Sequence, residues 1–93
     1  MSYNKTKTAY YRRLYVAYLI DSKINTVPAI VESTGMHVRT VQDIIASFTD
    51  YDIICEFIGA RKNGHYEITH WAAIDKKWII NNLKHVRDVL EYI

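Results

Sequence analysis

The chain has 93 residues and little of what punctuates or staples a small domain: one cysteine, one proline and three glycines. A single thiol, Cys55, excludes an internal disulfide and a cysteine-based zinc cluster. No basic group adjoins Cys55 in sequence to lower its pKa, so a small buried hydrophobe is its expected role. No apolar run approaches the roughly 20 residues of a membrane span, and the N-terminus lacks the apolar core of a signal peptide. A cytoplasmic protein is the expectation. Glycine-rich phosphate loops, a nucleophile elbow and paired catalytic carboxylates are likewise missing, so no enzyme activity is expected. The four histidines, His37, His65, His70 and His85, have neither helical i, i+4 spacing nor carboxylates arranged for a metal, and no metal or other cofactor is expected.

Charge of either sign is also scarce in net terms. The formal balance is +2, too small by itself to mark a nucleic-acid binder, and it is unevenly distributed. Residues 1–22 carry +3, residues 23–74 carry −2 and residues 75–93 carry +1. Basic groups therefore collect at the two ends and at one internal cluster, Arg61 and Lys62.

Hydrophobic residues make up 49% and charged residues 24%, ordinary globular usage for one domain spanning residues 1–93. Tyrosine is the excess: five of eight precede residue 20. Four of these five fall in a helix expected from Thr6 to Asp21, with Tyr11, Leu14, Tyr15, Tyr18 and Leu19 on one buried stripe. Ala9, Val16 and Ile20 form a second stripe, which implies a second neighbour.

Residues 26–48 have helix-turn-helix grammar. Thr26 is placed as N-cap and Pro28 in the first turn, where a missing amide costs no hydrogen bond. Ile30 and Val31 supply an apolar side, and Gly35 stands where a tight turn needs positive φ. The second helix follows, with Val38, Val41, Ile44, Ile45 and Phe48 expected inward. Arg39, Thr40, Gln42, Asp43 and Ser47 are left as a polar face able to meet base edges or phosphates.

A hairpin is expected over residues 53–71, with Asn63 and Gly64 as a type I′ tip that would pair Arg61 with Tyr66. Cys55, Phe57, Ile68 and His70 would share the inner face. Arg61, Lys62, Asn63 and His65 would project at the tip, as a wing does toward a phosphate backbone. The last segment, 75–93, reads as one helix capped by Asp75. Ile79, Leu83, Val86, Leu90 and Ile93 form its heptad-like seam, and with the first helix they would make a homodimer contact. Trp78, Asn82, His85, Val89 and Tyr92 line a second stripe.

The order helix, helix, glycine turn, helix, hairpin, helix is that of a winged helix-turn-helix, a mainly α fold with a small β-hairpin. The Gly35-Met36 turn, the Arg39-Thr40-Val41-Gln42 opening and the segment from Ile53 through Gly64-His65-Tyr66 to Trp71 resemble a family of small bacterial winged helix-turn-helix proteins. His37 departs from the small N-cap residue common in the wider superfamily. The resemblance implies a dimeric transcription regulator that binds double-stranded DNA. Its site would comprise His37, Arg39, Thr40, Gln42 and Asp43 on the recognition helix and Arg61, Lys62, Asn63 and His65 on the wing. Two other readings stay open at this point: a winged-helix module that binds a protein, and a sensor holding a small-molecule effector between the first and last helices.

Overall fold

The computed structural model describes residues 3–92. Helix α1 (Lys5–Asp21) leads to α2 (Val27–Thr34), α3 (Val38–Ser47), a 3₁₀ turn (Phe48–Tyr51), an antiparallel hairpin of β1 (Ile54–Ile58) and β2 (His65–His70), and two final helices, α4 (Lys76–Asn81) and α5 (Leu83–Leu90). The winged-helix order is as expected except at the C-terminus.

Helix α1 begins at Asn4, whose side chain accepts the Lys7 amide at 2.8 Å. Its middle is buried on every side, from Leu14 through Ala17 and again at Leu19 and Ile20. Both expected stripes are occupied: α1 packs against α3 and β2, and also against α4 and α5. Around it lie Ile30, Met36, Val41, Ile44, Phe48, Ile53, Val86 and Leu90. Full burial of a side chain of this size stabilises by roughly 1.5–3 kcal/mol, so α1 is the element on which the domain depends most.

Three helical ends close in the same way without glycine. After α1, Lys23 takes φ 75°, its amide reaching the Ile20 carbonyl while the Ile24 amide reaches Leu19. After the 3₁₀ turn, Asp52 takes φ 62°, with Asp52 bonded to Thr49 and Ile53 to Phe48. After α5, Glu91 takes φ 63°, with Glu91 bonded to Asp88 and Tyr92 to Arg87. Each is a Schellman closure, and each folds the next apolar side chain, Ile24, Ile53 or Tyr92, back onto the core.

The hairpin corrects the expected register. Tyr66 pairs with Phe57 rather than Arg61, a slip of four residues, and Ile58 pairs with His65. Residues 59–64 form a longer loop, with the positive φ at Gly59 (96°) and not at Asn63 or Gly64. Gly64 is needed for a different reason: a Cβ there would run into the Phe57 ring and come within 2.6 Å of the Ala60 carbonyl. An even slip keeps side chains on their faces, so Cys55, Phe57 and Ile68 still share one side. His70 does not join them, because an irregularity between Ile54 and Cys55 makes it the partner of Ile54.

The single last helix is also corrected. Asp75 caps as expected, accepting the Lys77 and Trp78 amides, but the helix breaks at Asn82, where φ is −123°. Asn82 turns its side-chain amide back to the Trp78 carbonyl at 2.7 Å, competing with the backbone as asparagine does. The break lets both segments bury apolar residues against one body. Ile79, Val86 and Leu90 are buried and Leu83 packs on the core, so the expected dimer seam faces inward within this chain. Val89, assigned to the second stripe, is buried too, whereas Trp78 is exposed. Ile93, the end of the expected seam, lies outside the described residues.

Candidate nucleic-acid interface

The helix-turn-helix is built largely by local chemistry. Thr26 Oγ1 accepts the Ala29 amide at 3.3 Å and Pro28 sits in the first turn of α2. Gly35 closes the helix at φ 75°, its amide bonding the Val31 carbonyl at 2.8 Å. Thr34 Oγ1 accepts the Met36 amide at 3.1 Å, and the buried Met36 anchors the turn beneath. His37 is the N-cap of α3 and makes no side-chain cap bond, which is how its departure from a small polar cap expresses itself.

Helix α3 is held by Val41, Ile44 and Phe48 with Ile45 half-buried. Val38, expected inward, is 49% exposed instead. It is the first residue of α3 and joins the outward face. That face carries His37, Val38, Arg39, Gln42 and Asp43, while Thr40 is half-buried. Arg39 Nε lies 3.2 Å from Asp43 Oδ1, one helical turn on, so the main cation of this face is paired within its own helix. Both side chains are well exposed, at 84% and 66%, where such a pair is worth only about 0.3–0.5 kcal/mol. Arg39 can therefore leave its partner for a phosphate or base at small cost.

Ser47 belongs elsewhere. Its hydroxyl accepts from Arg13 Nε at 2.8 Å and donates to the Ile44 carbonyl at 2.6 Å, so it ties α3 to α1. Arg13 also donates to the Ala9 carbonyl and lies over the Tyr51 ring, 5.8 Å from its centroid. The Arg13–Ser47 contact is not readable in sequence, because its partners are 34 residues apart.

The wing brings part of its expected cluster together. Arg61, Lys62 and Asn63 are exposed on the 59–64 loop, and the Asn63 amide closes a turn onto the Ala60 carbonyl. A groove of about 340 Å³ joins this loop to the start of α2: Arg61, Lys62, Phe57 and Tyr66 face Thr26, Val27 and Pro28 across it. The Tyr66 amide bonds the Asn25 carbonyl at 2.8 Å and fixes the two sides. His65 is not at the tip. It opens β2 and lies 2.8 Å from Glu67, whose cross-strand neighbour is Glu56. The far side of the wing is thus acidic, and only its loop and the groove beside α2 are basic.

Cys55 lies in β1 beside the end of α3, and burial, with Glu56 nearby, pushes its thiol up to about 11. Such a thiol is protonated at neutral pH and inert as a nucleophile. Among the described residues no group of three or more potential ligands is placed to hold a metal, and no helix is long and apolar enough to cross a membrane.

A comparison with curated proteins found no match. The chain is similar to a solved structure, a DUF2131 family protein from Shewanella amazonensis SB2B, at 34% identity and a TM-score of 0.88, covering 95% of this chain and 94% of that one. The pattern of the winged helix-turn helix family matches residues 5–90, which takes in α1, the helix-turn-helix, the wing and both final helices. The chain therefore belongs to the winged helix-turn helix family.

Proposed function

We propose that this protein binds duplex DNA in a sequence-dependent manner and regulates transcription in the cytoplasm. The observation that carries the reading is the outward face of α3. It is a helix held from behind by Val41, Ile44 and Phe48 and presenting Arg39, Gln42 and Asp43 in a helix-turn-helix closed by Gly35. In the proposed complex α3 enters the major groove and Arg39 and Gln42 meet base edges, with Thr40 at the rim and His37 toward the backbone. Arg61 and Lys62 hold a flanking phosphate, with Asn63 beside them. His65 is left out of the contact, since Glu67 engages it.

Two copies reading half-sites about one helical turn apart belong to this proposal. Their contact is no longer the Ile79, Leu83, Val86 and Leu90 seam, which the core occupies. Helix α1 keeps exposed positions, Thr6 and Arg12 among them, for a second copy.

A protein partner is the alternative reading. It is favoured by the outward Val38 and by the Arg39–Asp43 pair, which together make this face less cationic than a phosphate-binding surface usually is.

Selection of bound duplexes from a random library, with light scattering on the same sample, separates the two. DNA binding predicts an enriched motif whose affinity falls when Arg39→Ala or Gln42→Ala is introduced, and falls steeply as salt rises. No enrichment, or a motif indifferent to both substitutions, would sink the DNA reading in favour of the protein partner.

A further inference from the structure

On the side where α1 meets α4, a cavity of about 280 Å³ is lined by Tyr10, Tyr11, Leu14, Ile74, Asp75 and Trp78. Its floor is closed, since Leu14 and the adjoining Ile79 are 3% and 1% exposed. Its walls are aromatic and partly open to solvent: Tyr10 and Trp78 are each 41% exposed, and Tyr11 stands edge-on to both, at 6.1 and 6.3 Å between centroids. Large aromatics left open around a concave apolar floor are not what the core of this domain requires. Such a surface suits an occupant with flat faces.

The polar group at the rim selects among flat molecules. Asp75 Oδ1 accepts the Lys77 and Trp78 amides at 2.9 and 3.4 Å, which fixes the carboxylate; among the described residues no donor reaches its Oδ2. A carboxylate oxygen held beside aromatic faces accepts from an N–H group and favours positive charge. The same aromatics already attract cations: the Lys7 ammonium lies 5.6 Å from the Tyr11 centroid. Lys76, next to Asp75 in sequence, is engaged by Asp21 at 2.9 Å.

We propose that this α1–α4 cavity is a binding site for a small planar aromatic molecule bearing a protonated or N–H donor group, held by Tyr10, Tyr11 and Trp78 and oriented by Asp75. The volume limits the ligand to one or two fused rings, because pockets for drug-sized molecules run from roughly 300 to 1,000 Å³. The site lies apart from α3 and the wing and does not depend on the DNA reading.

Benzamidine is the probe, with benzoate as the same flat ring carrying an acceptor and cyclohexanecarboxamidine as the same cation without the ring. Binding is followed by calorimetry and by the indole N–H resonances of Trp71 and Trp78, assigned with Trp71→Phe. The expected result is saturable benzamidine binding that moves Trp78 and leaves Trp71 in place, with both controls weaker by about tenfold. Asp75→Asn retains a capping side chain and should remove the preference over benzoate; Tyr10→Ala, which also gives up the Tyr11 and Tyr51 ring contacts, should weaken benzamidine while the domain still melts cooperatively. Equal binding of benzamidine and benzoate, absence of saturation, or light scattering showing a dimer that shields Trp78 from the probe would each overturn the proposal.

Discussion

Arg13 donates from Nε to the hydroxyl of Ser47 at 2.8 Å, joining α1 to the last turn of α3. In the sequence Ser47 reads as part of a polar face able to meet DNA and Arg13 as a solvated position, whereas in the fold the two tie α3 to α1. A part-buried hydrogen bond to a charged donor contributes about 1.5–3 kcal/mol. Arg13→Ala, which also loses the Ala9 and Tyr51 contacts, should destabilise more than Ser47→Ala. In urea denaturation the double variant should fall short of the sum by about 1 kcal/mol, and strict additivity would show that the contact does not operate in solution.

Lys23 holds φ 75° at the end of α1, a conformation that costs a side-chain-bearing residue about 1 kcal/mol relative to glycine. Lys23→Gly should therefore raise stability by up to that amount, partly offset by the added freedom of the unfolded chain. A fall in denaturation midpoint would mean that the Ile24 contact, and not the backbone, governs this closure.

Asp43 is predicted to restrain Arg39 rather than to read a base. Asp43→Asn should leave stability nearly unchanged, since exposed pairs of this kind are worth under about 1 kcal/mol. DNA affinity should rise by roughly threefold to tenfold at low salt, with the gain shrinking as salt screens it. A loss of affinity confined to one base pair of the selected site would instead identify Asp43 as a direct acceptor.

Cys55 carries a thiol pushed from its ordinary 9.0 to about 11, chiefly by burial and secondarily by Glu56. Its folded pKa lies above its unfolded one, so the protonated thiol is the form folding favours. That contribution is complete below pH 9 and is lost as pH climbs from 9.0 to about 11. Cys55→Ser should flatten this part of the stability profile, as read by thermal melting, and alkylation of the native thiol should be slow at pH 8. Rapid labelling at neutral pH would contradict the assignment.

Much of the fold was legible because its signals are local. Thr26, Pro28 and Gly35 are a cap, a first-turn proline and a left-handed stop whose meaning depends only on near neighbours, and the structure uses each as expected. The inner side of the hairpin survived a wrong register because strand faces repeat every two residues, and the slip was even. Asn63 and Gly64 misled because a strong turn dipeptide takes no account of Phe57, whose ring occupies the space beside Gly64.

What only the tertiary structure decided is which of several apolar or polar faces found a partner. The spacing of Ile79, Leu83, Val86 and Leu90 states that a surface will be covered, and a periodic pattern is the same whether a second copy or the chain's own core covers it. The break at Asn82 settles that in favour of the core. In the same way, sequence placed Arg39 and Gln42 on a polar helical face, while only the folded structure showed that Val38 turns outward and Ser47 is taken by Arg13. Short-range chemistry determined the elements; long-range packing, which obeys volume and contact rather than spacing, determined their free surfaces.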